Sequence, residues 1–517
     1  MENEYYSPTP VESRPKFALK KKDIIFALCA IVLGIFTTLF GIFDGFALGF
    51  FLTVLLTVVL FAGYLTQRAK PQGRSFLWGV LTLADALVFI CTSNSSVRFF
   101  AFVLCFLLSL LCFDGLVFGS TKGNRQTLGI ILSAFSSLEN MAVSIGSLFA
   151  SGNGRGKVLG KILLSCLCAV PVLIVVLPLL LASDDAFQGM MRSMFSETPE
   201  TLAKVIGGIL LSVPLISYGF SLKNRRVSKI KPSSYKGMDS IYIISFLSAI
   251  SVCYVLFLFS QLAYFFSAFQ GFLPNGKITY AEYARKGFFE MCTIAVINLG
   301  IVFSSLLLAK KKDGKVSGGV QAVATFICLF NLIIIATAIS KMVLYIDAYG
   351  MTVLRLTTSA FMVFMSIIFI SLILRIYNSK INILKTGLIS AGCIVLILGT
   401  ANVNRICAAY NYESYCSGRL ESIDVEAIYH LGDEGVPYLV KLTDAPDEFV
   451  AEQATYYLAN DCLDTYFDLS YPTSSAQDLV RMDSGFSGYS IPNATAYKCL
   501  SDYYEENFDY ILQWREQ

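Results

Sequence analysis

The densest group of chemically capable side chains lies in residues 279–291, between two long apolar runs. Glu282, Arg285 and Glu290 stand there among tyrosines and phenylalanines. A carboxylate in such a group can act as a general acid or base, and an arginine can hold an anionic group by paired hydrogen bonds. Thr279 and Glu282 also have the spacing of a capping box. We therefore expect a helix to begin directly after Thr279 and to carry Glu290 into the bilayer.

Two more polar groups could join this one to form a shared site. Asp184 and Asp185 follow the fifth apolar run. The turn before the tenth run is flanked by Tyr345, Asp347, Tyr349 and Arg355. If all three groups lie on one side of the membrane, they could converge on a pocket for a ligand, an ion or a lipid headgroup. The alternative, which we prefer, is a network of charges that pins helix ends and orients the C-terminal region.

Two aspartates fall inside apolar runs. Asp85 lies near the middle of the third run and Asp114 in the inner half of the fourth. An acid at this depth marks a proton or cation path, or pairs with a basic residue. Neighbouring runs carry no Lys or Arg at similar depth, so the alternative is a neutral aspartate that is hydrogen-bonded between helices. Asn331 and Gln261 are interpreted as interhelical contacts.

Several classes of site are disfavoured by the sequence. The chain has one histidine, His430, and no pair of cysteines with zinc-ligand spacing, which argues against zinc and against a Ser/His/Asp triad. The glycine-rich segment 152–157 resembles a phosphate loop, but Val158 stands where the hydroxyl residue belongs and no strand precedes it. We expect no nucleotide, no metal and no other cofactor, and nothing indicates nucleic-acid binding.

The composition predicts an all-α, polytopic membrane protein. Hydrophobic residues make up 55% of the 517 residues and charged residues only 15%, and apolar runs long enough to cross a bilayer recur. The eleven predicted spans are 24–42, 45–65, 75–92, 97–119, 159–182, 203–222, 240–268, 288–309, 318–341, 352–375 and 386–403. The first run follows several lysines and is too long for a cleavable signal, so we expect it to stay as a span.

The distribution of basic residues predicts the orientation. Lys and Arg concentrate in the loops 66–74, 120–158, 223–239, 310–317 and 376–385, which all fall on one side of the predicted topology. By the positive-inside rule this side and the N-terminus face the cytoplasm. Residues 127–150 show serines at helical spacing, which indicates an amphipathic helix at the inner interface rather than a span.

The predicted organisation has three parts. Residues 1–23 form a cytoplasmic tail, 24–403 a transmembrane domain, and 404–517 an acidic, mostly helical domain outside the cell membrane. The last part holds 20 acidic and 6 basic residues, against 17 and 34 in the rest of the chain. Its cysteines are Cys407, Cys416, Cys462 and Cys499, which could form one or two disulfides there or remain free thiols.

At this point the sequence resembles a family. The segment Tyr280–Glu290 looks like the signature of bacterial polytopic membrane proteins grouped as domain of unknown function 4173, with the related 4153 group. Leu180–Phe187, Tyr345–Arg355 and the stretch from Tyr410 to Leu439 are similar to the same group. The resemblance implies an uncharacterised integral membrane protein of the bacterial cytoplasmic membrane. It supplies no activity and no catalytic residue.

Three hypotheses for function follow. The first is a non-enzymatic sensor, scaffold or accessory protein in the lipid bilayer, which presents its outer domain to a membrane or envelope protein. The second is a secondary transporter that uses Asp85, Asp114 and the outer polar groups, although no internal repeat supports it. The third is a membrane enzyme for lipid-linked or envelope substrates, with Glu282 or Glu290 as acid or base and Arg285 as anion holder.

Overall fold

The computed structural model describes residues 20–42, 46–66, 73–119, 124–141, 200–225, 237–270, 288–311, 316–468, 480–481 and 486–516, with isolated positions between 143 and 190. These residues are helical apart from turns and one short antiparallel strand pair, in which Phe467–Asp468 (β1) faces Val480–Arg481 (β2). The prediction of an all-α, polytopic membrane protein is therefore confirmed.

Nine of the described helices are long and apolar enough to cross a membrane. They match nine predicted spans, and the predicted span 159–182 lies outside the described residues. The third predicted span forms two shorter helices, Gly73–Ala86 and Val88–Cys91, which are separated at Leu87.

In chain order the first twelve helices are α1 Lys21–Phe36, which continues as a π-helical turn Thr37–Ile42, α2 Leu48–Leu65, α3 Gly73–Ala86, α4 Val88–Cys91, α5 Ser95–Phe118, α6 Asn124–Leu138, α7 Glu200–Lys223, α8 Ser240–Gln270, α9 Phe288–Leu308, α10 Gly318–Tyr349, α11 Val353–Tyr377 and α12 Ile383–Thr400.

The remaining helices are short and more polar. They are α13 Val403–Cys416, α14 Val425–Tyr429, a 3₁₀ turn Gly432–Glu434, α15 Val436–Leu442, α16 Glu448–Tyr457 with a π-helical turn Leu458–Cys462, α17 Leu463–Tyr466 and α18 Ile491–Glu516. Their apolar faces form a core of their own around the fully buried Tyr504.

The membrane helices pack around three apolar cores. One lies between α1, α2, α5 and α7 around Phe61, and a second lies between α8, α9, α10 and α11 around Leu247. The third joins α3, α4 and α5 to α12 around Phe89. Small residues bring helices close, because a Cβ on Gly34 of α1 would lie 2.2 Å from the carbonyl oxygen of Gly208 on α7.

A buried ion pair ties three helices together at one end of the bundle. The Asp23 carboxylate on α1 accepts a hydrogen bond from the Tyr64 hydroxyl of α2 at 2.7 Å and pairs with the Lys223 ammonium of α7. That ammonium also lies 4.3 Å from the centre of the Tyr64 ring. Removing either charge would leave the other buried and uncompensated, which is costly.

Polar side chains join α8, α9 and α10 inside the second core. Asn298 donates from Nδ2 to Asn331 Oδ1 at 3.1 Å and accepts from the Tyr254 hydroxyl, while Asn331 donates to the Ile327 carbonyl at 2.7 Å. Both asparagines are completely buried. The prediction of an interhelical role for Asn331 is confirmed, whereas Asn298 was not identified from the sequence. The side chain of Gln261 lies outside the described residues.

The serine face of the amphipathic helix α6 points into the protein. Ser217 of α7 donates to the Ser137 carbonyl at 2.7 Å, and Asn140 donates to Ser221 of α7 at 3.1 Å. The buried serines on this face are Ser133, Ser137, Ser144 and Ser147, and the exposed apolar side chains are Leu128, Leu132, Phe135 and Leu138. The serine face is therefore a packing surface against α7, and the placement of this helix at the inner interface stays a prediction.

Contacts among the described residues mark two ends of the bundle. At the basic end, named here for its lysines, Asn382 donates to Thr127 at 2.9 Å and the Lys385 ammonium lies 5.7 Å from the Trp78 ring. At the opposite end, the turns between α1 and α2, α3 and α5, and α10 and α11 all contact the C-terminal helices.

Replacing one asparagine of the buried pair should destabilise the helix bundle. Asn331→Leu should lower the free energy of unfolding by about 1 kcal/mol, because it leaves the Asn298 amide without this partner. Asn298→Leu combined with Asn331→Leu should cost less than the two single changes together. Thr358→Val, which removes a hydroxyl bonded within its own helix, is the control. Additive losses in detergent unfolding would contradict the interhelical bond.

Candidate functional site

The largest convergence of buried polar groups surrounds Glu434, at the end of the bundle that meets the C-terminal helices. Its side chain is 4% exposed. The carboxylate accepts hydrogen bonds from the Ser93 backbone nitrogen at 2.8 Å, from the Ser93 hydroxyl and from the Thr92 hydroxyl at 3.4 Å. Hydrogen bonds to a charged acceptor are strong, and this one is shielded from water. The carboxylate therefore holds the turn between α4 and α5 against the C-terminal helices.

Asparagines complete this arrangement. Asn404 on α13 donates to the Leu431 carbonyl at 2.9 Å and to Glu434 at 3.3 Å, and accepts from Asn94 at 2.8 Å. Asn402 donates to the Cys91 carbonyl at 2.9 Å. We refer to the group Thr92, Ser93, Asn94, Asn402, Asn404 and Glu434 as the clasp.

The backbone of Asn402 shows why an asparagine stands at this point. Its φ is +60°, in the left-handed region that asparagine tolerates better than most residues. It allows α12 to end and α13 to begin within three residues. Its side chain also accepts from the backbone nitrogen of Arg405 and so caps α13. The junction between membrane and C-terminal helices is therefore short and defined.

A second carboxylate lies beside the clasp. Asp433 accepts from the Tyr466 hydroxyl at 2.5 Å and from Asn493 at 3.5 Å. Burial raises the pKa of Asp433, and the neighbouring Glu434 charge acts in the same direction. The two hydrogen bonds and the charge of Arg98 lower the pKa but do not cancel the effect of burial. An acid whose pKa is raised by burial thus lies next to the contact between membrane and C-terminal helices.

Backbone contacts extend the same interface to α2. The backbone nitrogens of Leu48 and Gly49 donate to the carbonyls of Tyr489 and Ser487 at 3.2 and 2.9 Å. A Cβ at Gly49 would lie 1.6 Å from the Phe40 carbonyl oxygen. Only glycine allows this approach, so the start of α2 is shaped to receive the segment before α18.

The predicted group around Arg355 pins the end of α10. The Arg355 guanidinium donates to the carbonyls of Tyr349 at 3.0 Å and of Gly350, and its carbon lies 4.0 Å from the centre of the Tyr345 ring. These carbonyls belong to the C-terminal end of a helix, where acceptors lack intrahelical partners. Arg355 therefore holds the end of α10, while the choice between a charge network and a ligand pocket stays a prediction.

The same turn is attached to α13. Asp347 accepts from the Tyr410 hydroxyl at 3.1 Å. The Asn411 side chain bonds the Met351 backbone twice, to the nitrogen at 2.7 Å and to the oxygen at 2.8 Å. Asp347 therefore helps to orient the C-terminal helices.

The part of the chain that the structure describes does not bring the other predicted outer residues into the group around Arg355. Glu290 is exposed in the first turn of α9, where a negative charge is favoured by the helix dipole. Asp184 is exposed. Glu282, Arg285, Asp185 and the Thr279 capping box lie outside the described residues. A shared pocket of the three groups thus remains a hypothesis.

The intramembrane aspartates have different surroundings. Asp114 is buried on α5, close enough to Tyr218 of α7 to influence its hydroxyl electrostatically. Asp85 is completely buried at the end of α3, and neither carboxyl oxygen has a hydrogen-bond partner among the described residues. The interhelical hydrogen bond given above as one alternative is therefore not observed for Asp85 in this part of the chain.

An acidic groove opens on the side of the C-terminal helices. It lies between α15, α16 and α18 and encloses about 650 Å³. The carboxylates that line it belong to Asp444, Glu448, Glu452, Asp502 and Glu506. The described residues contain no group of three His, Cys, Asp or Glu placed to hold a metal ion. The groove is therefore a strongly negative surface.

The four C-terminal cysteines are free thiols in the structure. Cys407 and Cys462 are buried, and burial raises the pKa of the Cys462 thiol to about 12. Cys416 is exposed, and Cys499 is half-buried at the groove. Of the two alternatives drawn from the sequence, the structure shows the free thiols.

The raised pKa of Asp433 predicts a pH-dependent stability. Between the ordinary value of 3.8 and the raised folded value, the folded protein binds more protons than the unfolded chain. This contribution is complete below 3.8 and is lost as the pH rises through the folded pKa. Asp433→Asn keeps an acceptor for Tyr466 and should reduce the decline in melting temperature with rising pH. Glu421→Gln, at an exposed position, should keep the full decline; an unchanged slope in Asp433→Asn would contradict this origin.

Comparison with known proteins gives one result. No curated protein and no solved structure matches the chain. A family model matches residues 27–442, which include the membrane helices and the whole clasp and end with α15. This is the group named above as the related one, and the match does not show membership of the 4173 group. The chain belongs to the family described as domain of unknown function (DUF4153).

Proposed function

We propose that this integral membrane protein is a non-enzymatic scaffold of the bacterial cell envelope. Residues 24–403 would form its membrane domain and 404–517 an extracytoplasmic domain, with residues 1–23 as a cytoplasmic tail. The observation that carries the proposal is the clasp, in which the buried Glu434 carboxylate accepts hydrogen bonds from the turn between α4 and α5. A domain held in this way has a fixed orientation, which is what a scaffold needs.

The physical case for a fixed orientation is the cost of separation. Withdrawing Glu434 would remove its strong hydrogen bonds and leave the Thr92, Ser93 and Asn404 donors to find new partners. The contacts of Tyr489 with Leu48 and of Asp347 with Tyr410 would be lost as well. Contacts at three separate turns resist rotation better than any one of them.

The presented surface suggests the chemistry of the partner. The C-terminal part carries an excess of 14 negative charges, and five carboxylates line its groove. We infer a partner protein in the membrane or envelope whose contact face is basic, because complementary charge favours encounter and orientation. The enzyme hypothesis depends on Glu282 or Glu290 together with Arg285; Glu282 and Arg285 lie outside the described residues and Glu290 is exposed, so no geometry supports it. The transporter hypothesis retains one favourable observation, the unpaired Asp85.

Sidedness is tested by labelling. Thr465→Cys places an exposed thiol on the C-terminal helices, and Lys380→Cys places one at the basic end. In intact cells, and in a chain without native cysteines, a membrane-impermeant thiol reagent should label position 465 and not position 380. Both positions should react after permeabilisation. Labelling of position 380 alone in intact cells would invert the proposed orientation.

The clasp is tested by changing Glu434. Cys407, completely buried on α13, serves as reporter in a chain whose other cysteines are replaced. Glu434→Ala should raise its rate of alkylation about tenfold or more, because hydrogen bonds to a charged group contribute about 1.5–3 kcal/mol each. Glu434→Gln, which keeps an acceptor oxygen, should give a smaller rise. Glu448→Ala, at an exposed groove position, is the matched control.

If Cys407 were alkylated at the wild-type rate in Glu434→Ala, the clasp would not hold the C-terminal helices.

The partner is tested separately, by photo-crosslinking from a reactive side chain at Glu452 in the groove. A crosslinked protein that disappears both in Glu434→Ala and when the groove carboxylates are neutralised would support the scaffold. A crosslink that persists in Glu434→Ala would show that the domain binds its partner without a fixed orientation.

A further inference from the structure

Asp85 is enclosed by apolar groups from three helices. A Cβ on Gly392 of α12 would lie 3.0 Å from its Oδ2 atom and 3.6 Å from the side chain of Leu81. Leu108 of α5 closes the same space, 3.7 Å from that point. An ionised carboxylate in such surroundings, with no partner, would cost far more than the packing around it supplies. The carboxyl group is therefore neutral in this packing.

The helix that carries Asp85 is interrupted two residues later. α3 ends at Ala86, and the Leu87 nitrogen bonds back to the Ala84 carbonyl at 3.1 Å, as in a tight 3₁₀ turn. The Cys105 thiol of α5 donates to the Thr82 carbonyl at 3.5 Å. Interrupted membrane helices commonly form binding sites, because their ends free backbone groups from intrahelical bonds.

Few other titratable groups face this position among the described residues. Cys105 from α5 is close enough to interact with Asp85, and α4 carries only Cys91. α5 also carries Arg98, whose guanidinium donates to the Phe89 and Thr92 carbonyls, as well as Cys112 beside Gly79 and Asp114. α12 also carries Cys393, which is exposed. α2 contributes Tyr64, which is bonded to Asp23, and α12 contributes Lys385, which lies over Trp78; both are at the basic end. Asp85 therefore has no nearby charge that would stabilise its ionised form.

The nature of the ligand follows from the same surroundings. A metal cation needs several oxygen ligands at once. Leu81, Leu108 and Gly392 supply no side-chain oxygen to this site. A proton needs only one carboxyl oxygen. Proton binding is the chemistry that this site can perform.

We propose that Asp85 is a proton-binding site of the membrane domain, which holds its proton while α12 packs on α3 and releases it only when α12 moves away. On release, the O–H bond breaks, the proton passes to water that enters the gap, and the electron pair stays on the carboxylate. The inference goes beyond the scaffold and does not depend on it.

The position of Asp85 links its protonation to the clasp. Towards the clasp, a Cβ on Gly399 of α12 would lie 2.5 Å from the Val88 side chain of α4, so the two helices are in close contact there. Asn402, directly after α12, bonds the Cys91 carbonyl at the end of α4. Separation of α12 from α3 would therefore also pull on the clasp.

The resting protonation state is tested by infrared spectroscopy of the full-length protein in lipid vesicles at neutral pH. The difference between wild type and Asp85→Asn should contain the carbonyl stretch of a protonated carboxylic acid. Loss of ionised carboxylate bands instead would overturn the proposal. Asp85→Leu, which needs no hydrogen bond, replaces Asp85→Asn if the buried amide prevents folding.

The coupled movement is tested with Cys105 as the remaining cysteine and a small membrane-permeant alkylating reagent. Above the pH at which Asp85 begins to ionise, the ratio of alkylation rates between wild type and Asp85→Asn should rise about tenfold per pH unit until opening is complete, because ionisation of the carboxyl drives opening. The part of the thiol's ionisation that is common to both proteins cancels in this ratio. The negative charge of an ionised Asp85 opposes thiolate formation at Cys105 and so acts against the expected rise rather than producing it. Cys112, buried on the same helix beside Gly79, should show no such rise. A ratio independent of pH at Cys105, or an equal rise at Cys112, would overturn the coupling.

Discussion

The buried carboxylate of Glu434 constrains the whole end of the molecule at which it lies. A charge that is 4% exposed must be surrounded by donors, and those donors come from the turn before α5 and from the start of α13. The short α4 and the left-handed Asn402 are both consistent with this requirement, because each brings a turn to the carboxylate. The path of the chain from membrane to C-terminal helices is thus set by one desolvated group together with the apolar contact of Val403 and Cys407 of α13 with the core around Phe89.

Different interactions hold the rest of the bundle together at different levels along the helices. At the basic end the Asp23–Lys223 pair joins three helices, and in the middle the Asn298–Asn331 bond joins α9 and α10. Gly34 brings α1 against α7 without any polar group. Lipid offers little hydrophobic drive for helices to associate, so close packing and buried polar contacts have to supply specificity. This also explains why the serines of α6 face the protein and its leucines face outward.

Hydropathy predicted most of the fold because each membrane span requires a continuous apolar run of sufficient length, which can be recognised from neighbouring residues alone. It missed the interruption at Leu87, since the run 75–92 contains no proline and Asp85, two residues before the interruption, was interpreted as a functional residue rather than as a helix end. The clasp could not be predicted: Ser93 and Glu434 are 341 positions apart, and each looks like an ordinary turn residue. Arg355 was identified correctly as a residue of interest, but its contacts are with helix-end carbonyls, which no side-chain motif reveals.

Some acidic residues of the C-terminal part are hydrogen-bonded at the clasp, and others line the open groove. This difference helps to explain why the clasp is polar. Glu434 is hydrogen-bonded to the turn between α4 and α5, and Asp433 beside it is hydrogen-bonded to Tyr466 and Asn493, whereas the carboxylates of the groove are open to a partner. A domain with this charge gains nothing from anionic lipid headgroups, which repel it. Hydrogen bonds to a few fixed positions can hold such a domain near a membrane without neutralising the charge that it presents. The clasp therefore allows the outer surface to remain acidic while the inner contact is satisfied.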